Sequence, residues 1–242
     1  MPADTTPLRS LVIAIDGPSG SGKSSVSREV ARRLGLEYLD TGAMYRAVCW
    51  SCLQAGIDLD DAGAVAARAR KMRLRIGTDP AAPSVDVDGV DVTAAIRAGR
   101  ISAEVSRVAV NLQVRAELRR RQREIIEAAR RGPRAGCVAE GRDITTVVAP
   151  EAEVRVLLTA SEQARLRRRS LEVHGRDDEA ALAATRDEVL RRDADDSSVA
   201  QFMQAADGVV LLDTSGLSYE QTVQAVLEAV VAEEQQAGAV PR

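Results

Sequence analysis

An α/β fold, with one parallel sheet covered by helices on both faces, is the architecture this sequence predicts, and three observations carry it. Short apolar runs at Leu11–Ile15, Leu36–Leu39, Cys137–Ala139, Val154–Leu158 and Gly208–Asp213 alternate with longer segments of helical apolar spacing. Strands of that length separated by helices form parallel sheets buried on both faces, here a sheet of five. The first run leads directly into Gly17-Pro18-Ser19-Gly20-Ser21-Gly22-Lys23-Ser24, a G-x-x-x-x-G-K-[ST] loop with a helix after it. The length, 242 residues, suits one domain with a sizeable core and room for a small insertion.

The elements follow in order. Residues 1–10 read as a disordered tail. A helix from about Lys23 to Leu34 carries Val26, Val30 and Leu34 on one face and stops at Gly35. After the strand Leu36–Leu39, Asp40-Thr41-Gly42 turns the chain into a helix holding Met44, Val48 and Leu53 that ends near Gly56, and an Ala- and Arg-rich helix covers Asp61 to Met72. From Leu74 the apolar period becomes two. Leu74-Arg75-Ile76 and Val85-Asp86-Val87 alternate and Asp88-Gly89 signals a turn, so residues 73–100 read as a β-rich insertion. Helices resume at about Ser102–Val110 and Val114–Arg131. The strand Cys137–Ala139 enters Glu140-Gly141-Arg142-Asp143, and Val154–Leu158 passes through Thr159-Ala160-Ser161 into a helix ending near His174. A further helix reaches about Arg192, and Asp193 to Asp207 reads as irregular. Ser218-Tyr219-Glu220-Gln221 is a capping box for the last helix, expected to fade after Ala232. The core of the single domain is therefore expected over residues 9–72, 101–160 and 205–232.

Composition narrows the function. A net charge of −3 argues against a general nucleic-acid or membrane-surface binder, and five aromatic residues leave too few platforms for stacking along single-stranded nucleic acid. No apolar run approaches the roughly 20 residues that cross a bilayer, so a soluble, cytoplasmic protein is expected. Cys49-Trp50-Ser51-Cys52 spells C-x-x-C, but the pair falls about two turns inside a helix, not at the helix N-terminus where a dipole activates a thiol. A zinc site would need two more ligands, and the one histidine, His174, lies elsewhere. Cys49, Cys52 and Cys137 therefore read as ordinary buried thiols.

The glycine-rich loop carries the chemistry. Its glycines admit backbone angles that let successive N–H groups ring a phosphate, and the following helix aims its positive end at the same point. Gly17, Pro18, Ser19, Gly20, Ser21, Gly22, Lys23, Ser24 and Ser25 are thus expected to bind a nucleoside triphosphate. Lys23 would lie on its β- and γ-phosphates and the Ser24 hydroxyl on Mg²⁺. In open parallel sheets ligands sit at the C-terminal strand ends, here marked by Asp16, Asp40, Glu140, Thr159 and Asp213. A GTPase would need Asn-Lys-x-Asp, and the only asparagine, Asn111, precedes Leu112. Arginines recur in loops after the strands instead, at Arg46, Arg142, Arg165, Arg168 and Arg192. Guanidinium forks suit a second phosphate facing the first, the need of a kinase acting on a phosphorylated acceptor. Most arginines of the helix 114–131 read as a solvated face.

Four motifs, IDGPSGSGKSS (15–25), LDTGAMYR (39–46), AEGRDITTVV (139–148) and the arginine-rich helix after LLTASEQAR (157–165), resemble those of the bacterial cytidylate kinases, the (d)CMP kinases among the nucleoside monophosphate kinases. The resemblance spans about residues 9 to 230. It implies a P-loop kinase that moves the ATP γ-phosphoryl group to CMP or dCMP with Mg²⁺, in pyrimidine nucleotide metabolism, and a monomer is expected. It implies Thr41, Arg46 and Arg142 on the CMP phosphate, and Ser106, Arg115 and Asp143 on the cytosine. Arg192 and Asp196 would lie near the sugar, and Arg165 and Arg168 beside the ATP phosphates as catalytic arginines with Lys23 and Arg142. Residues 73–100 would be the acceptor-binding insertion and 161–196 a helical lid. The pattern departs after Asp196, where the chain is two residues shorter and lacks an arginine, with Arg186 and Arg191 the nearest replacements in sequence. Another acceptor, UMP or a small metabolite, and a non-catalytic nucleotide-binding regulator remain open.

Overall fold

In the computed structural model, which describes residues 10–239, alternate residues of the central strand β1 (Leu11–Asp16) enter two different cores. Val12 and Ala14 face one side and Ile13 and Ile15 the other, the period-two pattern of a strand buried on both faces. The tail expected over residues 1–10 lies, apart from Ser10, outside the described residues.

The chain continues through α1 (Lys23–Leu34), β2 (Glu37–Asp40), α2 (Thr41–Gln54) and α3 (Ala62–Lys71). Then come β3 (Leu74–Gly77), β4 (Ser84–Val87), β5 (Val90–Asp91), a 3₁₀ turn (Ala95–Arg97), α4 (Gly99–Ala109) and α5 (Leu112–Arg131). The second half holds β6 (Gly136–Gly141), a π-helical turn (Ile144–Val148), β7 (Val154–Thr159), α6 (Glu162–His174), α7 (Glu179–Ser197), β8 (Val210–Asp213) and α8 (Tyr219–Ala239).

Five strands form the expected parallel sheet in the order β2-β6-β1-β7-β8. Helices α1 and α8 cover one face with Val26, Val30, Val223, Val226 and Val230. Met44, Val48, Val65, Val114 and Leu118 of α2, α3 and α5 cover the other. Both cores are mainly aliphatic, with Tyr38 the one aromatic among their buried residues, as the scarcity of aromatics requires.

Local signals set the ends of the elements. Gly22 (φ 87°) and Gly35 (φ 68°) bracket α1 in left-handed conformations. Asp40 Oδ1 accepts the Ala43 N–H at 2.8 Å and caps α2. Ser218 and Gln221 exchange hydrogen bonds of 2.8 and 3.2 Å in the expected capping box. The insertion is a three-stranded antiparallel sheet, β3-β4-β5, with the turn at Asp88-Gly89. It is tied to the core where Tyr38 N–H meets Thr78 O at 2.8 Å and Arg28 donates to the carbonyls of Pro80 and Ala81.

Two expectations need correction. Helix α7 continues through Asp193 to Ser197 where irregular chain was expected. Its last turns have no apolar periodicity, and Asp193 and Asp196 are buried by pairing with Arg165 and Arg142. Helix α8 continues past Ala232 to Ala239. The π-helical turn after Asp143 has no sequence signal; there Val147 and Val148 N–H both donate to Asp143 O at 2.9 Å.

The three cysteines are free and buried. Burial pushes the thiols of Cys49, Cys52 and Cys137 up to about 12, 11 and 12, so none carries the thiolate a redox pair needs. Among the described residues no helix is long and apolar enough to cross a membrane.

Candidate active site

A cleft of about 220 Å³ opens at the C-terminal ends of β2 and β6, beside the loop that follows β1. Lys23, Arg46, Arg115, Arg142 and Arg192 line it together with the acidic residues Asp40, Glu140, Asp143 and Asp196.

On one side stands the glycine-rich loop. Lys23 is buried, and its Nζ donates to Pro18 O at 3.3 Å. Burial and the nearby Arg142 charge push its ammonium down to about 7, against an opposing pull from Glu140. Ser24 Oγ donates to Glu140 Oε1 at 2.7 Å, and Tyr38 OH reaches the same oxygen at 3.4 Å. Burial and the charge of Asp40 raise the Glu140 carboxyl, with Lys23 and the Ser24 hydrogen bond opposing.

On the other side the arginines are held by carboxylates. Asp40 Oδ2 takes Arg46 Nη2 at 2.8 Å and Arg97 Nη2, from the insertion, at 3.5 Å. Burial works to raise the Asp40 carboxyl, but these two guanidinium groups and the Ala43 N–H outweigh it and hold it low. Thr41 Oγ1 donates to Glu140 O at 2.7 Å. Arg115, 5.9 Å above the Tyr45 ring, pairs with Asp143 at 2.5 Å, both buried. Arg142 Nε meets Asp196 Oδ2 at 3.1 Å, and its guanidinium stacks on Phe202 with 5.1 Å to the ring centroid. Arg192 Nε lies 4.0 Å from the same Asp196 oxygen, and burial and Arg142 push it down to about 10.

Asp16, at the end of β1, holds the turn behind Asp143. Its carboxylate accepts Ile144 N–H at 3.0 Å, Thr145 N–H at 2.8 Å and Thr145 Oγ1–H at 2.7 Å. Burial raises this carboxyl, and the hydrogen bonds oppose the rise.

Helix α6 grips the glycine-rich loop from outside. Arg165 Nη1 donates to Ser19 O at 3.0 Å and pairs with Asp193, whose Oδ1 accepts Ser19 N–H at 2.9 Å. Arg168 donates to Ser21 O at 3.2 Å and to Thr214 Oγ1 at 2.9 Å. A Cβ on Gly20 (φ 75°) would stand 2.5 Å from Arg165 O, so helix and loop meet backbone to backbone.

The structure thus brings together most of the residues singled out in the sequence. Of the five arginines expected in loops, only Arg142 follows a strand directly. Arg46 is on α2, Arg165 and Arg168 on α6, and Arg192 on α7. Arg165 and Arg168 bond loop carbonyls and do not line the cleft. Ser106 is half-buried on α4, whose lining residues are Ser102, Val105 and Ala109. Arg186 pairs with Glu162 at 3.0 Å on the surface, and neither it nor Arg191 lines the cleft. Asp40 and Glu140 line the cleft as two of the strand-end residues that marked the site, though the sequence assigned them no role, and Arg97 and Asp193 were not among the expected site residues. Glu140 and Asp40 carried a signal as carboxylates at strand ends, whereas Arg97 and Asp193 carried none.

A sequence model of the cytidylate kinase family matches residues 13–232. Among the similar curated proteins, a cytidylate kinase of Streptomyces coelicolor is 47% identical over 98% of this chain and 97% of its own. One of Cutibacterium acnes is 48% identical over 91% of this chain and 96% of its own. One of Streptomyces avermitilis is 45% identical over 91% of this chain and 92% of its own. With the phosphate loop, the arginine-lined cleft and matches over nearly its whole length, this chain belongs to the cytidylate kinase family.

Proposed function

We propose that the protein is a (d)CMP kinase, transferring the γ-phosphoryl group of ATP to a phosphate oxygen of CMP or dCMP to give CDP or dCDP. The observation that carries this reading is the meeting of two anion-binding systems in one cleft. The glycine-rich loop with Lys23 faces Arg46, Arg142 and Arg192, with the buried Arg115–Asp143 pair beside them. The first suits a triphosphate donor, Arg46 and Arg142 a monophosphate acceptor, and the buried pair a base edge.

The acceptor is already an anion, so no strong base and no covalent enzyme intermediate are required. Catalysis is alignment and charge stabilisation in a closed site. Lys23 lies on the donor β- and γ-phosphates, while Arg46 and Arg142 clamp the acceptor phosphate. Asp196 fixes Arg142 by its Nε, leaving the two Nη groups for phosphate oxygens. Asp143 accepts from the cytosine amine, and Arg192 with Asp196 lies at the sugar. The segment 161–196 serves as lid and 73–100 as the acceptor-side insertion.

An all-oxygen donor set fits Mg²⁺, and Ser24 Oγ with Glu140 beside it at 2.7 Å supplies one. When bound there, the ion neutralises charge on the donor phosphates.

A turnover panel of CMP, dCMP, UMP and AMP, followed by coupled ADP release, tests the reading. The expected result is a kcat/KM for CMP or dCMP well above that for UMP and AMP. Equal turnover of UMP would move the acceptor assignment, and nucleotide binding without ADP release would make the protein a regulator.

A further inference from the structure

Asp193 stands on α7 next to Arg192 and three residues before Asp196, yet it serves the opposite side of the cleft. Arg192 and Asp196 line the cavity on the acceptor side, while the Asp193 carboxylate faces the phosphate loop. Its side chain is 8% exposed, and so buried a carboxylate needs both a counter-charge and hydrogen bonds. Arg165 of α6 supplies the charge and the Ser19 N–H the second contact. Arg165 also donates to the Ser19 carbonyl at 3.0 Å, so one ion pair from two helices holds Ser19 by both its N–H and its C=O.

The consequence follows from peptide geometry. In a planar trans peptide the C=O of one residue and the N–H of the next point in opposite directions. Drawing the Ser19 carbonyl to Arg165 turns the Gly20 N–H the other way. Arg168 does the same for the Gly22 N–H by drawing the Ser21 carbonyl at 3.2 Å. The cations of α6 thus set the direction of the amides that ring a phosphate, and Asp193 keeps Arg165 in place.

We propose that Asp193 is a positioning residue for phosphoryl transfer. It clips α6 and α7 onto the phosphate loop, and because Arg192 and Asp196 ride on the same helix turns, it sets the register between donor cradle and acceptor groups. This rests on the reading of the cleft as the donor–acceptor site.

Asp193→Asn tests it, since the isosteric amide retains an acceptor for Ser19 N–H but removes the counter-charge of Arg165. The expected result is a kcat lowered roughly 10- to 100-fold, with KM for ATP and CMP each within about threefold of wild type. Faster amide hydrogen exchange in residues 17–25 should accompany it. Asp193→Glu, which keeps the charge at a longer reach, should recover part of the lost kcat. The midpoint of thermal unfolding is measured for each variant, so that a fall in folded fraction is separated from a fall in kcat. A kcat within twofold of wild type, or a loss wholly explained by the unfolded fraction, overturns the proposal. Lys23→Ala in the same assay separates the two readings. Its inactivity beside a normal Asp193→Asn defeats only the clip, whereas an active Lys23→Ala defeats the site assignment.

Discussion

Replacing Asp143 by asparagine changes one oxygen to an amide nitrogen and keeps the shape of the side chain. The structure decides which way that amide must turn. Arg115 offers donors only, and its Nη2 stands 2.5 Å from Asp143 Oδ2 in a buried setting. The amide oxygen must face Arg115, because the NH₂ group there would set donor against donor. The NH₂ then replaces the other carboxylate oxygen, the one proposed to accept from the cytosine amine. That position becomes a donor, mismatched to cytosine N4–H₂ and matched to uracil O4. Losing a charge-assisted hydrogen bond to CMP costs about 1.5–3 kcal/mol, and gaining a neutral one to UMP contributes about 0.5–1.5 kcal/mol. The CMP/UMP ratio of kcat/KM should therefore fall by about 30- to 2000-fold. The assay is initial-rate turnover of each acceptor at saturating ATP. The ratio is insensitive to the active fraction, which matters because Arg115 loses its counter-charge and stability falls too. The double variant Arg115→Met with Asp143→Asn frees the amide to turn and should restore part of the preference. A ratio that moves less than threefold in Asp143→Asn would refute the assignment of Asp143 to the base.

Phe202→Leu removes the ring under Arg142; at about 0.5–2 kcal/mol for the stacking, kcat/KM for CMP should fall about 2- to 30-fold with KM for ATP unchanged, and equal effects on both substrates would count against a role through Arg142. Lys23→Ala should nearly abolish turnover, and activity within tenfold of wild type would remove the phosphate-loop assignment. Cys137→Ala should flatten the alkaline loss of stability. Burial raises this thiol from 9.0 to about 12, so above pH 9 the unfolded chain loses a proton the folded one keeps. The stabilisation is complete below pH 9 and lost toward pH 12, at about 1.4 kcal/mol per pH unit. Urea unfolding across about pH 8 to 11 measures that slope, and an identical slope in the variant would contradict it.

What was legible in the sequence was local. The loop at 17–24, the capping box at 218–221 and the five apolar strands each announce themselves within a few residues. The burial of Lys23 does not, because Glu140 and Arg142 close over it from more than a hundred positions away. The end of α7 was invisible for a related reason. Arg191 to Ser197 is polar apart from Ala194 and is ordered by ion pairs with Arg165 and Arg142, not by an apolar stripe. The family resemblance puts Arg165 and Arg168 beside the ATP phosphates, and in the structure they also hold loop carbonyls, which no local pattern announces. The arginine missing after Asp196 leaves a segment whose Phe202 reaches Arg142, a contact that no charge pattern could reveal.

Gly20 occupies a position that the G-x-x-x-x-G-K-[ST] pattern leaves free. Its left-handed φ of 75° already disfavours other residues, but the 2.5 Å from a notional Cβ to the Arg165 carbonyl adds a demand unrelated to nucleotide binding. A methyl group there would lift the helix that bears Arg165 and Arg168 off the loop carbonyls they hold. Counting glycines in such a loop therefore measures two things at once, the room left for a phosphate on the inside and the room left for a neighbouring helix on the outside. A relative with a bulkier residue at this point should hold the helix that corresponds to α6 further from the loop, and its arginines would need a longer reach to hold the same carbonyls.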